Sequence, residues 1–242
     1  MTWLRKMLLG LAATAVLGCL ASWAAVGDTA HNVRWTPALA LNSLEEIDQR
    51  LAAPWDYPLD VSRRSGQPKK AVITNCLSYF ALTRQGFEAT PFPSQLLLGA
   101  DCHALKALSK ARPAQRTHLA GFQLDENVID DLPPDLSLVL SKDDARKVAA
   151  ANKAGLSWRE FQPITRVTLE NSYTMLVEGD GWRVRMKLYA FGDFNDDGLE
   201  DILVTTQAWL TEGTYATTRL LVLTRFRDDG RLHLVTEYDL TK

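Results

Sequence analysis

The sequence predicts an α+β fold in which helices come first and strands second. Apolar residues recur at helical spacing, with capping signals, before about residue 160. From Thr165 onward apolar and polar residues alternate with the period of a half-buried strand. Glycine-bearing turn signals punctuate that second half. The chain divides into 1–18, read as a signal peptide, 19–40 as a tether, 41–160 as mainly helical and 161–242 as an antiparallel β region.

In the helical region, Ser43 and Glu46 have the spacing of a capping box ahead of Leu44, Ile47 and Leu51, and Pro54 stops that helix. Thr74 is placed to cap a second helix carrying Cys76, Leu77, Phe80 and Ala81, ended by Gly86. Ser94 is placed to start a third, with Leu98, Cys102, Leu105 and Leu108 on one face and Pro113 as its limit. Residues 114–140 are apolar in places but interrupted by Pro133-Pro134. Ser141 then caps a short helix, closed by Gly155. The β region predicts an antiparallel meander of about five strands, over 166–176, 182–190, 201–210, 215–227 and 232–240. Gly179-Asp180-Gly181, Glu212-Gly213 and Asp228-Asp229-Gly230 supply hairpin turns. One sheet face needs a cover, and the helical half is the expected one.

The connection between the second and third strands carries the strongest chemical signal. Asp193, Asn195, Asp197 and Asp201 occupy loop positions 1, 3, 5 and 9, with Gly198 at the sharp turn. Alternate residues of a tight loop can turn oxygens inward, as a hard cation such as calcium requires. Leu199 at position 7 would contribute its backbone carbonyl, while Asp196 and Glu200 are expected to face solvent. An EF-hand is excluded: position 12 is Val204 rather than Glu, and the flanks read as strands. The run 191–204 resembles the calcium loop of FG-GAP or VCBS-type repeats. That resemblance implies calcium as cofactor and Asp193, Asn195, Asp197, Leu199 and Asp201 as ligands. Only one copy is present, so it implies an ion site and not a propeller, which needs several blades.

The N-terminus reads as an export signal, with Arg5 and Lys6 before an apolar stretch too short to span a bilayer. Val16-Leu17-Gly18-Cys19 resembles a bacterial lipobox. The resemblance implies cleavage before Cys19 and lipidation of it, hence a membrane-anchored periplasmic lipoprotein. Leu20 at the following position favours the outer membrane. The alternative is ordinary cleavage near Ser22-Trp23-Ala24, giving a soluble periplasmic protein. With Cys19 lipidated, Cys76 and Cys102 remain of the three cysteines as a pair in an oxidising compartment. That disulfide would staple a helical hairpin.

Removing Arg5 and Lys6 leaves 25 basic residues (27 less two) against 29 acidic ones, a net charge of −4. This argues against nucleic acid as a partner. His31, His103, His118 and His233 form no zinc-type pairing. His31 falls in the tether, His103 is expected to face solvent beside Cys102, His233 to alternate outward, and His118 is the one histidine worth testing as a base. No nucleophile elbow, phosphate loop or dinucleotide fingerprint occurs. The expected function is therefore non-enzymatic: an envelope lipoprotein that binds another envelope or secreted protein, such as an immunity or inhibitor protein. Two alternatives stand beside it. One is an envelope hydrolase acting on peptidoglycan or glycan through Asp125, Glu126, Asp130, Asp131 or His118. The other is a structural or adhesive surface module.

Overall fold

The computed structural model describes residues 31–242. The signal peptide, Cys19 and the first part of the tether lie outside the described residues. From there the chain runs β1 (Arg34–Trp35), α1 (Ile47–Ala52), β2 (Leu59–Ser62), β3 (Lys70–Ile73), α2 (Cys76–Thr83), β4 (Glu88–Ala89) and α3 (Phe92–Leu108). It continues with α4 (Lys142–Lys153), α5 (Trp158–Phe161), β5 (Arg166–Asn171), β6 (Thr174–Gly179) and β7 (Trp182–Gly192). It ends with β8 (Asp201–Leu210), β9 (Ala216–Arg225) and β10 (Leu232–Tyr238). The mixed helix-and-strand class expected from the sequence is the observed one.

The dominant element is an antiparallel meander in the order β10-β9-β8-β7-β6-β5, with β1 added alongside the end of β7. It has six strands plus β1, not five. The run expected as one strand over 166–176 is a hairpin, turned at Asn171 whose side-chain oxygen accepts from the Tyr173 N–H at 3.0 Å. An Asx turn of this kind carries no glycine, so the alternation alone concealed it.

Both faces of this sheet are buried. On one face Tyr189, Ala190, Leu203, Leu220 and Val222 pack against α1, α2, α3 and a small sheet. On the other, Met186, Leu188, Ile202, Val204, Leu221 and Leu223 pack against Leu119, Ile129, Leu132, Leu136 and Trp158. The helical half therefore supplies one cover, and the proline-broken segment after residue 118 supplies the second. A bulge between Leu188 and Ala190 shifts the β7 register just before the loop that leaves it.

The first half is not purely helical. β2, β3 and β4 form a three-stranded antiparallel sheet in the order β3-β2-β4. Helix starts also differ from expectation. Asn75, not Thr74, caps α2, in a capping box with Ser78. Pro91 precedes α3, which begins two residues before Ser94. Ser43 makes no side-chain cap, while the Glu46 carboxylate accepts from the Asn42 N–H at 3.0 Å. Ser141 caps α4 as expected, accepting from the Asp144 N–H, and Ser157 with Glu160 boxes the short α5. The Cys76–Cys102 disulfide joins α2 to α3. Both half-cystines are buried. The helices approach closely at Gly99, where a Cβ would overlap the Tyr79 hydroxyl. Among the described residues no helix is long and apolar enough to cross a membrane.

Candidate metal centre

The loop from Asp193 to Glu200 joins β7 to β8 at the end of the sheet. Two of its residues take left-handed backbone, Asp196 (φ 63°) and Gly198 (φ 80°). Glycine meets that demand at no steric cost, and aspartate is one of the few side chains that tolerate it. The loop folds around its own carboxylates. Asp193 Oδ1 accepts from the Asp196 N–H at 2.7 Å and Oδ2 from the Gly198 N–H at 2.9 Å. Asn195 Oδ1 accepts from the Asp197 N–H at 3.0 Å, and Asp197 Oδ1 from the Leu199 N–H at 2.8 Å. Asp201 Oδ2 accepts from the Phe194 N–H at 2.9 Å, and its Oδ1 takes the Thr224 hydroxyl from β9.

These oxygens are the donor class a hard cation uses; Asp193 Oδ1 also accepts from the Asn195 N–H at 3.3 Å, while the others named accept one hydrogen bond each and retain a lone pair. In this arrangement, however, no three His, Cys, Asp or Glu side chains among the described residues converge as a preformed cage. The charge balance is the informative feature. Asp193 is 6% exposed and Asp201 fully buried. Neither has a basic partner among the described residues, where the ion pairs near the loop go to Asp196 and Glu200 instead. Burial pushes the Asp201 carboxyl up to about 7, with Asp197 and Asp193 adding repulsion against the hydrogen bonds that favour its charge.

Glu200 corrects the sequence reading. Instead of facing solvent it is 2% exposed. Its carboxylate accepts from Arg34 Nη2 at 2.8 Å and from the Thr117 hydroxyl at 2.6 Å. Asp196 does face solvent, 3.1 Å from Arg112 Nε. A strap over residues 112–117 holds the loop from outside. Arg112 and Asp193 exchange backbone hydrogen bonds at 3.0 and 2.9 Å, the Gly198 carbonyl accepts from Gln115 and Arg116, and the Glu200 N–H donates to the Arg116 carbonyl. Ala114 in turn pairs with His31. Loop, strap and N-terminal strand thus form one connected unit. These pairings span more than 80 residues of sequence, and no local pattern announces them.

The other candidates are dispersed. His103 is buried, not solvent-facing: it is 8% exposed, packed edge-on against Phe80 and Tyr79, and its Nε2 lacks a partner among the described residues. Burial lowers its pKa to about 4, with Lys106 lowering it further. His118 Nδ1 lies 2.8 Å from Asp228, and His233 is exposed beside Phe226. The acidic run serves local structure. Asp125 Oδ1 accepts from the Asn127 and Val128 N–H groups, Asp130 pairs with Arg159, Asp131 pairs with Arg225, and the Glu126 carbonyl accepts from Arg159.

Comparison with family models, with curated proteins and with solved structures returns no match for this chain.

Proposed function

We propose that this chain is an exported, lipid-anchored binding protein whose β7–β8 loop takes calcium. In this reading it acts by engaging another envelope or secreted protein, in the manner of a periplasmic immunity or inhibitor protein. The observation that supports the ion is the pair of carboxylates, Asp193 and Asp201, buried without a cationic partner among the described residues. An uncompensated buried charge is strongly unfavourable, and a bound dication would offset it. The residues that would hold it are Asp193, Asn195, Asp197, Asp201 and the Leu199 carbonyl, with an affinity on the order of 10⁻⁴ to 10⁻³ M as in extracellular modules. The ion's place in this reading is structural: the strap over 112–117 covers the loop, and its carboxylates already serve the loop's amides.

The test is the melting curve in millimolar calcium and in chelator. A higher melting temperature with calcium, lost in Asp197→Ala, supports the reading; identical curves for the parent protein sink the ion site. For the binding role, the protein is isolated from membranes in calcium and its co-purifying proteins are identified. Absence of any stable partner counts against it. Turnover of peptidoglycan or glycan abolished by Glu126→Ala or His118→Ala would favour the hydrolase instead.

A further inference from the structure

The last strand leaves part of the sheet open. β10 pairs with β9 only from Leu220 to Arg225 and ends opposite Leu220 at Tyr238. The Asp239 carboxylate then accepts from the Thr241 N–H at 2.9 Å, a turn that drives Leu240 into the core, where its carbonyl takes the Tyr79 hydroxyl. The first residues of β9 are therefore an edge. Two hydrogen bonds fix which backbone groups face outward there. The Leu210 N–H donates to the Tyr215 carbonyl, so Tyr215 and every second residue after it face β8. The Leu232 N–H donates to Asp131, away from β9, which sets the same alternation from the other end of the strand. Ala216 and Thr218 consequently present their N–H and C=O groups to the side that β10 has vacated.

That edge is recessed. A cleft of about 740 Å³ runs over it, with Leu136 to Val139 and α4 on one side, and Leu96 and Leu240 on the other. Thr218 is 6% exposed, and Ser137, 4% exposed, lines the same cleft with no partner for its hydroxyl among the described residues. A backbone amide without a ladder partner is costly where the residue is buried, as Thr218 is and the half-buried Ala216 is not, and an extended chain is the structure that satisfies such an edge in register. On the rim Arg219 pairs with Glu237 and Lys242 with Asp239, which leaves Asp135 as the rim carboxylate without a basic partner among the described residues. An incoming segment with basic residues would match it.

We propose that this cleft takes an extended, basic segment of another protein, which adds to the sheet as a short strand along the open edge of β9. A second copy of this chain does not fit, because two recessed edges cannot meet. The length available, from Ala216 to Arg219, accepts a strand of about four residues, some 13 Å at about 3.3 Å per residue. This deepens the binding-protein reading above and rests on it for its setting.

The experiment uses the full mature chain in calcium and a synthetic hexapeptide of alternating valine and lysine. Peptide binding is followed by anisotropy, and backbone exchange by amide-resolved hydrogen exchange. The peptide is expected to slow exchange at Thr218 at least tenfold and leave Thr217, which faces β8, unchanged. N-methylation of alternate peptide residues should weaken binding at least tenfold. So should Thr218→Pro, which removes an outward N–H and no ladder bond. Should that variant not fold, the exchange measurement on the parent protein decides. No binding at millimolar peptide, binding indifferent to N-methylation, or protection confined to the other sheet edge at β5 would overturn the proposal. The calcium effect on melting is read separately, so loss of the ion site and loss of strand addition are distinguished.

Discussion

Arg34 and Glu200 form the link between the N-terminal strand and the loop that leads into β8. The guanidinium lies 2.8 Å from a carboxylate that is 2% exposed, and it stacks over the Phe191 ring at 4.1 Å. Removing Arg34 leaves Glu200 buried with the Thr117 hydroxyl alone. Because Arg34 itself is half exposed, the cost falls below that of a fully buried pair. Arg34→Ala should destabilise by about 1–2 kcal/mol, or roughly 2–8 °C in melting temperature for a chain of this size. Glu200→Gln in that background should restore part of the loss. Independent, additive effects of the two substitutions would show that the contact does not couple strand and loop.

The loop makes a prediction that changes sign with conditions. Asp201 is fully buried, and its hydrogen-bond partners among the described residues are the Phe194 N–H and the Thr224 hydroxyl. Asparagine keeps one acceptor and carries no charge. In chelator, Asp201→Asn should melt a few degrees above the parent protein, since about 1–3 kcal/mol of buried-charge cost is relieved. In calcium the order should reverse on the proposed reading, in which Asp201 is a ligand and its charge is lost. A variant that melts below the parent under both conditions would mean that Asp201 serves Thr224 and not an ion.

How much of this was legible in the sequence depends on the range of the interaction. The Ser141 cap and the two-residue alternation of β7 are local, and they read correctly. The pairing of Cys76 with Cys102 was also accessible once Cys19 was assigned elsewhere. β2, β3 and β4 were not, because strands of two to four residues gain their definition from each other and from the core above them. Glu200 was misplaced for the same reason. Loop alternation points it outward from the ion, and only Arg34 and Thr117, 166 and 83 residues away, make that outward position an interior one. His103 sits on α3 beside Cys102, and the aromatic pair Tyr79 and Phe80 that encloses it comes from α2.

His103 gives the fold a pH dependence. Its folded pKa of about 4 lies below the ordinary value of 6.5, because burial disfavours the imidazolium and Lys106 repels it, while Asp239 pulls weakly the other way. The unfolded chain therefore binds a proton that the folded chain refuses between these values. Stability is present above about 6.5 and is lost as pH falls toward 4. The loss should reach about 2–3 kcal/mol. It is read as the difference between the parent protein and His103→Leu, which cannot titrate. Parallel pH profiles for the two would show that this histidine is solvated or protonated in the fold.

The disulfide supports the face of the sheet that α3 covers. It closes a separation of 26 residues between α2 and α3. In the chain-entropy account such a loop is worth about 3.5 kcal/mol, mainly by restricting the unfolded state. The double variant Cys76→Ala, Cys102→Ala should then melt roughly 7–14 °C lower than the oxidised protein, and reduction of the parent should approach the same value. Because the effect resides in the unfolded chain, the proposed calcium site should raise the melting temperature of the variant by the same increment as that of the parent. A variant that no longer responds to calcium would instead show that the α2–α3 pair positions the strap over 112–117, which follows directly on α3, and through it the loop itself.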